Sequence, residues 1–277
     1  MGPILLLCKP AMKRVKSPIS LPGVVTASRD VPGGHRIDIE LETERDAVPA
    51  ILVVPDRQLH ENRCAAALLL HGFTSRKERM AEGIGRALLD YGVATLSIDL
   101  PMHGARGAGF DEVTRNPLQM IAAWRLALSE VRCSLDYLSG LSAVDGQRLA
   151  IVGYSLGAYL ALVAAGDDPR CRAVVLASGG DLPEQTPFAT LVRAAADPLR
   201  AVRRLAGRPL LMVNGRFDRT IKASQAERLF EAAGDPKEIH CYQGGHWPPQ
   251  PAIDFGAQWL AERLSSGEWR LASGRRA

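Results

Sequence analysis

The sequence has few cysteines, little excess charge and no long uninterrupted apolar segment. Its five cysteines are far apart and form no Cys-x-x-Cys pair, which argues against a redox site and against a dense disulfide framework. The formal net charge is only +4 and the basic residues are scattered, so nucleic acid is not an expected partner. No closely spaced group of histidines and carboxylates indicates a metal ion, and we expect no cofactor.

No apolar run approaches the ~20 residues that a membrane-spanning helix needs. The first residues have a short apolar run followed by basic residues, whereas a secretory signal has its charges first and a longer apolar segment. We therefore expect a cytoplasmic protein without a membrane span. The sequence gives no indication of its oligomeric state.

The chain has 277 residues, of which 47% are hydrophobic, and this is enough apolar material for one large core. Residues 1–18 contain several prolines and basic residues and are predicted to form a flexible N-terminal arm. Residues 19–267 are predicted to form a single domain, and residues 268–277 a solvated C-terminal tail. Within the domain, residues 181–207 are predicted to form a small, partly helical insertion that resembles a cap.

Eight segments have the pattern of β-strands, and helical segments separate the later ones. The predicted strands are 35–42, 50–54, 65–70, 93–98, 148–152, 173–177, 208–213 and 238–242. The predicted helices are 77–91, 117–139, 156–166, 221–233 and 252–265. Strands that are apolar at nearly every position are typical of parallel sheets covered on both faces. The sequence thus predicts an α/β fold with a doubly wound, mostly parallel eight-stranded sheet, an antiparallel edge, and the insertion after the sixth strand.

The strongest chemical signal is the segment Gly-Tyr-Ser-Leu-Gly at positions 153–157. It follows a predicted strand and opens a predicted helix, and a Gly-x-Ser-x-Gly in this context places the serine on a tight, strained turn. The turn exposes the Ser155 hydroxyl at the edge of the sheet, beside the N–H groups of the following helix. Ser155 is therefore the candidate nucleophile.

A serine hydroxyl needs a base to accept its proton, and a histidine held by a carboxylate is suited to this task. Two histidines follow Ser155 in the chain. His240 lies within a predicted strand, where a packing role is the simpler interpretation. His246 lies in a glycine-rich loop before the last helix, from which its ring can reach the edge of the sheet. His246 is therefore the candidate base.

The candidate acid is Asp218, which follows the predicted strand 208–213. Because the carboxyl ends of parallel strands meet at one edge, Asp218 is expected near Ser155. Asp181, which follows the preceding strand, remains an alternative acid. A further interpretation of Asp218 is that of a turn residue bonded to its own backbone.

Two backbone N–H groups are predicted to hold the oxyanion of a tetrahedral intermediate. One belongs to Phe73, in the His-Gly-Phe segment that follows strand 65–70. The other belongs to Leu156, the residue after the nucleophile. His71 is expected to brace this loop through hydrogen bonds.

These features together resemble the α/β-hydrolase fold family, over roughly residues 35–265, and the order Ser155, Asp218, His246 is the order that the family uses. Within the family the chain is similar to the dienelactone-hydrolase-like and prolyl-oligopeptidase-like esterase groups, judged by His-Gly-Phe at 71–73 and Gly-Gly-His-Trp at 244–247. The dienelactone hydrolases use a cysteine where this chain has Ser155. The segment Asp-Leu-Pro-Met-His-Gly at 99–104 also resembles a family turn, with Met102 in place of the usual glycine.

The predicted function is a serine hydrolase of small-molecule carboxylic esters that forms an acyl-enzyme intermediate through a Ser-His-Asp triad. Two alternatives stay open. The same triad serves thioesterases and amidases or peptidases, which differ in the leaving group. The fold also occurs in binding proteins without catalytic activity, because a fold alone does not determine function.

Overall fold

The computed structural model of the chain describes residues 14–15, 23–43, 45–56, 63–107, 116–182, 189–205 and 207–265. Of the predicted N-terminal arm, only residues 14 and 15 are described, and they form a short strand. The predicted C-terminal tail, 268–277, lies outside the described residues.

A single mixed β-sheet runs through the described part of the chain. Its strands are β1 (Arg14–Val15), β2 (Gly23–Val31), β3 (Gly34–Glu42), β4 (Ala47–Pro55), β5 (Cys64–Leu70), β6 (Ala94–Ile98), β7 (Val144–Tyr154), β8 (Cys171–Ala177), β9 (Leu210–Gly215) and β10 (Lys237–Tyr242). They lie in the order β1-β2-β3-β4-β6-β5-β7-β8-β9-β10. Strands β6, β5, β7, β8, β9 and β10 are parallel, and β1 to β4 form the antiparallel edge. The predicted fold class is confirmed.

The sheet has ten strands in the described residues, whereas the sequence predicted eight. All eight predicted strands are present, and the two additional strands are β1 and β2 at the antiparallel edge. Strand β2 is exposed over most of its length, so it lacks the apolar alternation that marks a half-buried strand. Backbone hydrogen bonds to β3 hold it in place, and these leave no signature in the side-chain pattern.

Helices cover both faces of the sheet. They are α1 (Lys77–Met80), α2 (Arg86–Asp90), α3 (Pro117–Gly140), α4 (Leu156–Asp167), α5 (Ala189–Ala196), α6 (Pro198–Arg203), α7 (Ala223–Ala232) and α8 (Gln250–Ser265). A wider π-type turn, Ala81–Gly85, joins α1 to α2, so the helix predicted over 77–91 is interrupted at its centre. Among the helices described here, none is both long and apolar enough to cross a bilayer.

The predicted insertion contains the helices α5 and α6. Asp197 caps α6, since its carboxylate accepts a hydrogen bond from the N–H of Leu199 at 3.0 Å. Helix α6 packs against α4, the helix that begins after Ser155. Residues 183–188 and residue 206 of the insertion lie outside the described residues.

The core lies in two layers, one on each face of the sheet. One layer joins the sheet to α3 and α4 through buried residues such as Leu68, Leu135 and Leu160. The other joins it to α2 and α8 through residues such as Val152 and Leu260. Burial on both faces explains why the central strands are apolar at nearly every position.

The strand order reverses direction at β5. The chain passes from β5 to β6 on one side, and then crosses to β7 on the other. In doubly wound sheets the crevice at such a switch point, outside the carboxyl ends of the strands, is the usual ligand site. The loops after β5 and β7 meet there, and these loops carry Phe73 and Ser155.

Candidate active site

Ser155 lies on a strained turn between β7 and α4. Its backbone has φ 51° and ψ −111°, a conformation that residues other than glycine rarely adopt. The turn also brings β5 and α4 very close, since a Cβ atom at Gly157 would collide with the carbonyl oxygen of Leu70. A glycine is required at position 157 for this reason, and the chain therefore forms the sharp strand-to-helix turn that its sequence pattern predicts.

The structure brings Ser155, His246 and Asp218 together in one hydrogen-bonded chain. The Nε2 atom of His246 lies 2.9 Å from Ser155 Oγ, and its Nδ1 atom lies 2.8 Å from Asp218 Oδ2. The carboxylate can only accept, so Nδ1 carries the proton and Nε2 is left to accept the serine proton. The imidazole thus has the tautomer and orientation that a general base for Ser155 needs.

Asp218 is held as a carboxylate. Its side chain is fully buried, and Oδ1 accepts hydrogen bonds from the N–H groups of Thr220 at 2.8 Å and Ile221 at 3.0 Å. Burial by itself would raise the pKa of Asp218, but the hydrogen bonds from His246 and the two N–H groups outweigh burial and hold the pKa below its usual range. A negative charge therefore stays beside the Nδ1 atom of His246 and orients its ring.

The alternative acid, Asp181, faces two arginines instead of His246. Its Oδ1 atom lies 3.0 Å from Nη1 of Arg193, and its Oδ2 atom lies 3.1 Å from Nε of Arg228. Burial would raise the pKa of Asp181, but these contacts lower it below its usual range. The other histidine, His240, lies within β10 with its ring stacked on Phe255 at 4.3 Å between centroids.

The loop after β5 lies directly against the serine. A Cβ atom at Gly72 would lie 3.2 Å from the Cβ of Ser155 and 2.6 Å from the ring of Tyr154. Phe73 is the residue after Gly72, and Leu156, the residue after the serine, begins α4. The N–H of Ser155 itself donates to the carbonyl of Ala177 at 2.9 Å. The loop that carries Phe73 and the start of α4 at Leu156 thus both lie beside Ser155, and the two oxyanion donors stay a prediction.

His71 braces this loop from inside the protein. Its side chain is fully buried, and Nε2 accepts a hydrogen bond from the N–H of Leu100 at 3.1 Å. Nδ1 lies 2.8 Å from the carbonyl oxygen of Gly72, to which it donates. His71 thus connects the loop after β5 to the loop after β6, and it does so as a neutral imidazole.

The neutral state of His71 predicts that stability depends on pH. Burial lowers the pKa of His71 to about 4, although the hydrogen bond to Gly72 opposes this shift. An unfolded histidine has a pKa of ~6.5, so the folded protein binds fewer protons between these values. The free energy of unfolding should fall by about 3 kcal/mol through this group as pH decreases from about 6.5 to 4, and change no further through it at lower pH. NMR titration of the ring should give a midpoint near 4; a midpoint near 6.5 would contradict this prediction.

Asp99 connects the neighbouring loops. Its fully buried carboxylate accepts from the backbone N–H and the side chain of Lys77, both at 2.8 Å, and from the N–H of Ala105 at 2.9 Å. Met102, where family members have glycine, adopts φ 62°, so the turn keeps the left-handed backbone despite the side chain. His103 is buried, with Nδ1 2.8 Å from the carbonyl of Pro101. These contacts give Asp99 and His103 a structural role in the loop after β6.

Two cavities lie near Trp247, one of them next to the loop after β5. A groove of about 540 Å³ is lined by Thr74, Ser75, Arg79, Trp247 and neighbouring polar residues. A second, mostly apolar cavity of about 330 Å³ shares Trp247 with this groove and extends along the sheet to Val213. In the described part of the chain, no group of three or more histidine, cysteine or carboxylate residues is placed to hold a metal ion.

Sequence reasoning missed several contacts that shape the site. Ser178 Oγ lies 2.6 Å from the carbonyl oxygen of His246, and the Tyr242 hydroxyl lies 2.8 Å from that of Gly245. The Lys77–Asp99 contact was also missed. The only sequence signal for Ser178 is its position directly after β8, at the same edge of the sheet as Ser155.

Comparisons with known proteins agree with this architecture. Esterase YjfP of Escherichia coli is 27% identical over 260 residues, covering 82% of this chain and 100% of that protein. A cold-adapted esterase from an Arctic intertidal metagenomic library, bound to PEG, has a TM-score of 0.68 at 20% identity, covering 86% of this chain and 98% of its own. Dienelactone hydrolase from Anabaena variabilis has a TM-score of 0.61 at 20% identity, covering 84% and 97%. The two structural matches show a shared fold.

The family itself follows from the sequence match. A model described as the alpha/beta hydrolase family matches residues 67–270, which is well over half of the chain. The matched region includes the loop after β5, the turn at Ser155 and both loops that carry Asp218 and His246. The resemblance drawn from these motifs is confirmed: the chain belongs to the alpha/beta hydrolase family.

Proposed function

We propose that the protein is a serine hydrolase that cleaves carboxylic esters of small molecules. The observation that carries this proposal is the hydrogen-bonded chain from Ser155 through His246 to the buried carboxylate of Asp218. Each distance lies within hydrogen-bond reach, and each group can play the part that its position requires. No cofactor is required for this chemistry.

In the first half of the reaction Ser155 Oγ attacks the ester carbonyl while its proton passes to Nε2 of His246. Asp218 stabilises the imidazolium that forms, because its carboxylate accepts the Nδ1 proton in a hydrogen bond. The carbonyl oxygen becomes negative, and the N–H groups of Phe73 and Leu156 donate to it. His246 then gives its proton to the leaving alcohol as the C–O bond breaks, and the acyl group remains on Ser155.

In the second half of the reaction water takes the place of the alcohol. His246 Nε2 accepts a proton from the water as its oxygen attacks the acyl-enzyme carbonyl. The same N–H groups hold the second oxyanion. When the bond to Ser155 Oγ breaks, His246 returns the proton to the serine, so that the acid is released and the enzyme is restored.

The comparisons support an ester as the substrate class. YjfP and the cold-adapted protein are both named as esterases, and we transfer that activity to this chain as part of the proposal. A cytoplasmic location and a small-molecule substrate likewise stay predictions from the sequence.

The preferred leaving group distinguishes an esterase from a thioesterase and from an amidase or peptidase. Purified protein is assayed with p-nitrophenyl acetate and butyrate, with the matching acyl-CoA thioesters, and with aminoacyl anilides. We expect kcat/KM for an ester to exceed that for the thioester and the anilide by at least about tenfold, equal to ~1.4 kcal/mol of transition-state stabilisation. A preference for the thioester or anilide would overturn the ester assignment, and hydrolysis of none of them would favour a binding protein.

A further inference from the structure

The loop that carries His246 begins with Gly244 and Gly245. Glycine backbones have more conformational freedom than those of other residues, so this loop loses much entropy when it becomes ordered. Yet His246 Nε2 must stay about 3 Å from Ser155 Oγ for proton transfer. The contacts of three consecutive carbonyl groups, those of residues 244, 245 and 246, show what holds the loop.

Each of these three carbonyl groups accepts a hydrogen bond. The Gly244 oxygen accepts from the N–H of Phe217, next to Asp218, at 2.9 Å. The Gly245 oxygen accepts from the Tyr242 hydroxyl at 2.8 Å. The His246 oxygen accepts from the hydroxyl of Ser178 at 2.6 Å, and these bonds therefore fix successive peptide planes up to the histidine.

Tyr154 supplies a second donor to the same histidine carbonyl. Its hydroxyl lies 3.3 Å from the His246 oxygen. We refer to the side-chain hydroxyls of Tyr154, Ser178 and Tyr242 as the hydroxyl clamp. Tyr154 ends β7, Ser178 follows β8 and Tyr242 ends β10, and their hydroxyls converge on two neighbouring carbonyls.

The hydroxyl clamp is buried and stays able to donate. All three residues are at most 6% exposed. Burial raises the pKa of Tyr154 and of Tyr242, so both phenols remain protonated at neutral pH. Their hydrogen bonds to the loop are partly shielded from water, and bonds shielded in this way are stronger than bonds in open solvent.

The backbone of Ser178 supports a specific role for its hydroxyl. Ser178 has φ 50°, in the left-handed region where glycine is the favoured residue. A residue other than glycine in such a conformation carries strain of about 1 kcal/mol or more. The next two residues, 179 and 180, are glycines, whereas position 178 itself is a serine. The hydroxyl is the group that a glycine would lack.

We propose that the hydroxyl clamp is a positioning device for the catalytic base, which fixes the backbone of residues 245 and 246 so that the imidazole spans Ser155 and Asp218. This inference rests on the proposed function, since it assigns to His246 the role of base. The clamp residues act through His246 and touch no reacting atom. A misplacement of the base by about 1 Å is enough to reduce turnover by up to ~10²-fold.

Tyr242→Phe and Ser178→Gly test the clamp. Tyr242→Phe removes only the hydroxyl, and Ser178→Gly removes the hydroxyl while relieving the strained φ, so neither change fills space or adds strain. The matched control is Tyr159→Phe, because the Tyr159 hydroxyl also donates to a backbone carbonyl, that of Asp181 at 3.2 Å, outside the His246 loop. We expect kcat for ester hydrolysis to fall about tenfold in each clamp variant, with KM changed less than about twofold and the control near wild type.

A readout that does not depend on turnover accompanies the kinetics. The Nδ1 proton of His246, shared with Asp218, is followed by NMR, and its exchange with solvent is expected to be faster in both clamp variants than in the control. Unchanged kcat and unchanged exchange in both, with only the melting temperature lowered, would overturn the clamp in favour of a merely structural role. An equal fall of kcat in Tyr159→Phe would overturn it as well. If wild-type protein hydrolyses no ester, the exchange measurement still decides on the clamp while the proposed function fails.

Discussion

Ser155→Ala should lower kcat for ester hydrolysis by about 10⁴-fold or more. The substitution removes the hydroxyl oxygen that lies 2.9 Å from His246 Nε2, so the proposed acyl-enzyme cannot form. The proposed backbone donors at Phe73 and Leu156 remain, so we expect a small residual rate above that of water. Initial rates with p-nitrophenyl acetate measure the effect.

The control for Ser155→Ala is Ser265→Ala. The Ser265 hydroxyl contacts a backbone carbonyl at the end of α8, that of Ala261, at 2.7 Å and has no part in the site. The Ser265→Ala variant should hydrolyse the ester at the wild-type rate. If Ser155→Ala keeps the wild-type rate while circular dichroism shows both variants folded, Ser155 is not the nucleophile.

Asp218→Asn is expected to have an effect of similar size, about 10⁴-fold in kcat. An asparagine at this position can still accept from the N–H groups of Thr220 and Ile221 through its oxygen, so the loop is retained. Its amide nitrogen, however, donates to Nδ1 of His246 and favours the tautomer with the proton on Nε2. That tautomer cannot accept the proton of Ser155, and turnover is lost without a change in shape.

Asp181→Asn discriminates between the two candidate acids. In the structure this carboxylate contacts Arg193 and Arg228 and is not the partner of His246. The variant should lose stability, because the substitution removes the negative charge of a buried carboxylate that pairs with two arginines. We expect kcat to stay within about threefold of wild type. A loss of turnover in Asp181→Asn together with a near-normal rate in Asp218→Asn would reverse the assignment of the acid.

Much of the fold could be predicted because the central strands are buried on both faces. Residues of β5 and β8 are apolar at almost every position, and this pattern gave their position and the parallel arrangement. Strand β2 escaped prediction because most of its side chains face solvent. The interruption at Ala81–Gly85 escaped it as well, since Gly83 adopts a non-helical backbone within a segment whose apolar pattern is helical.

Some residues of the candidate site could likewise be predicted from the sequence, and others could not. Ser155 and His246 stand in local patterns, a strand-to-helix turn and a glycine-rich loop, so their proximity could be predicted from sequence. The sequence favours Asp218, but the choice between Asp218 and Asp181 stays open in it, because both aspartates follow neighbouring strands. It depends on Arg193 and Arg228, which approach Asp181 from two helices.

The hydroxyl clamp lies beyond sequence reasoning altogether. Ser178 and Tyr154 reach the carbonyl of His246 across separations of 68 and 92 residues, and no local pattern encodes a bond to a distant backbone atom. A backbone carbonyl is present at every residue, so its partner can be identified only from coordinates. Such contacts hold the geometry of the site, whereas the sequence patterns identify its chemistry.

Covalent labelling by a fluorophosphonate tests the central claim most directly. The reagent reacts with a serine only when a base removes its proton and an oxyanion site holds the product, which are the properties assigned to Ser155. The account predicts one label per chain on the peptide that contains residues 153–157, and none in Ser155→Ala or after unfolding. Absence of label in the folded wild type, or label on a different serine, would contradict it.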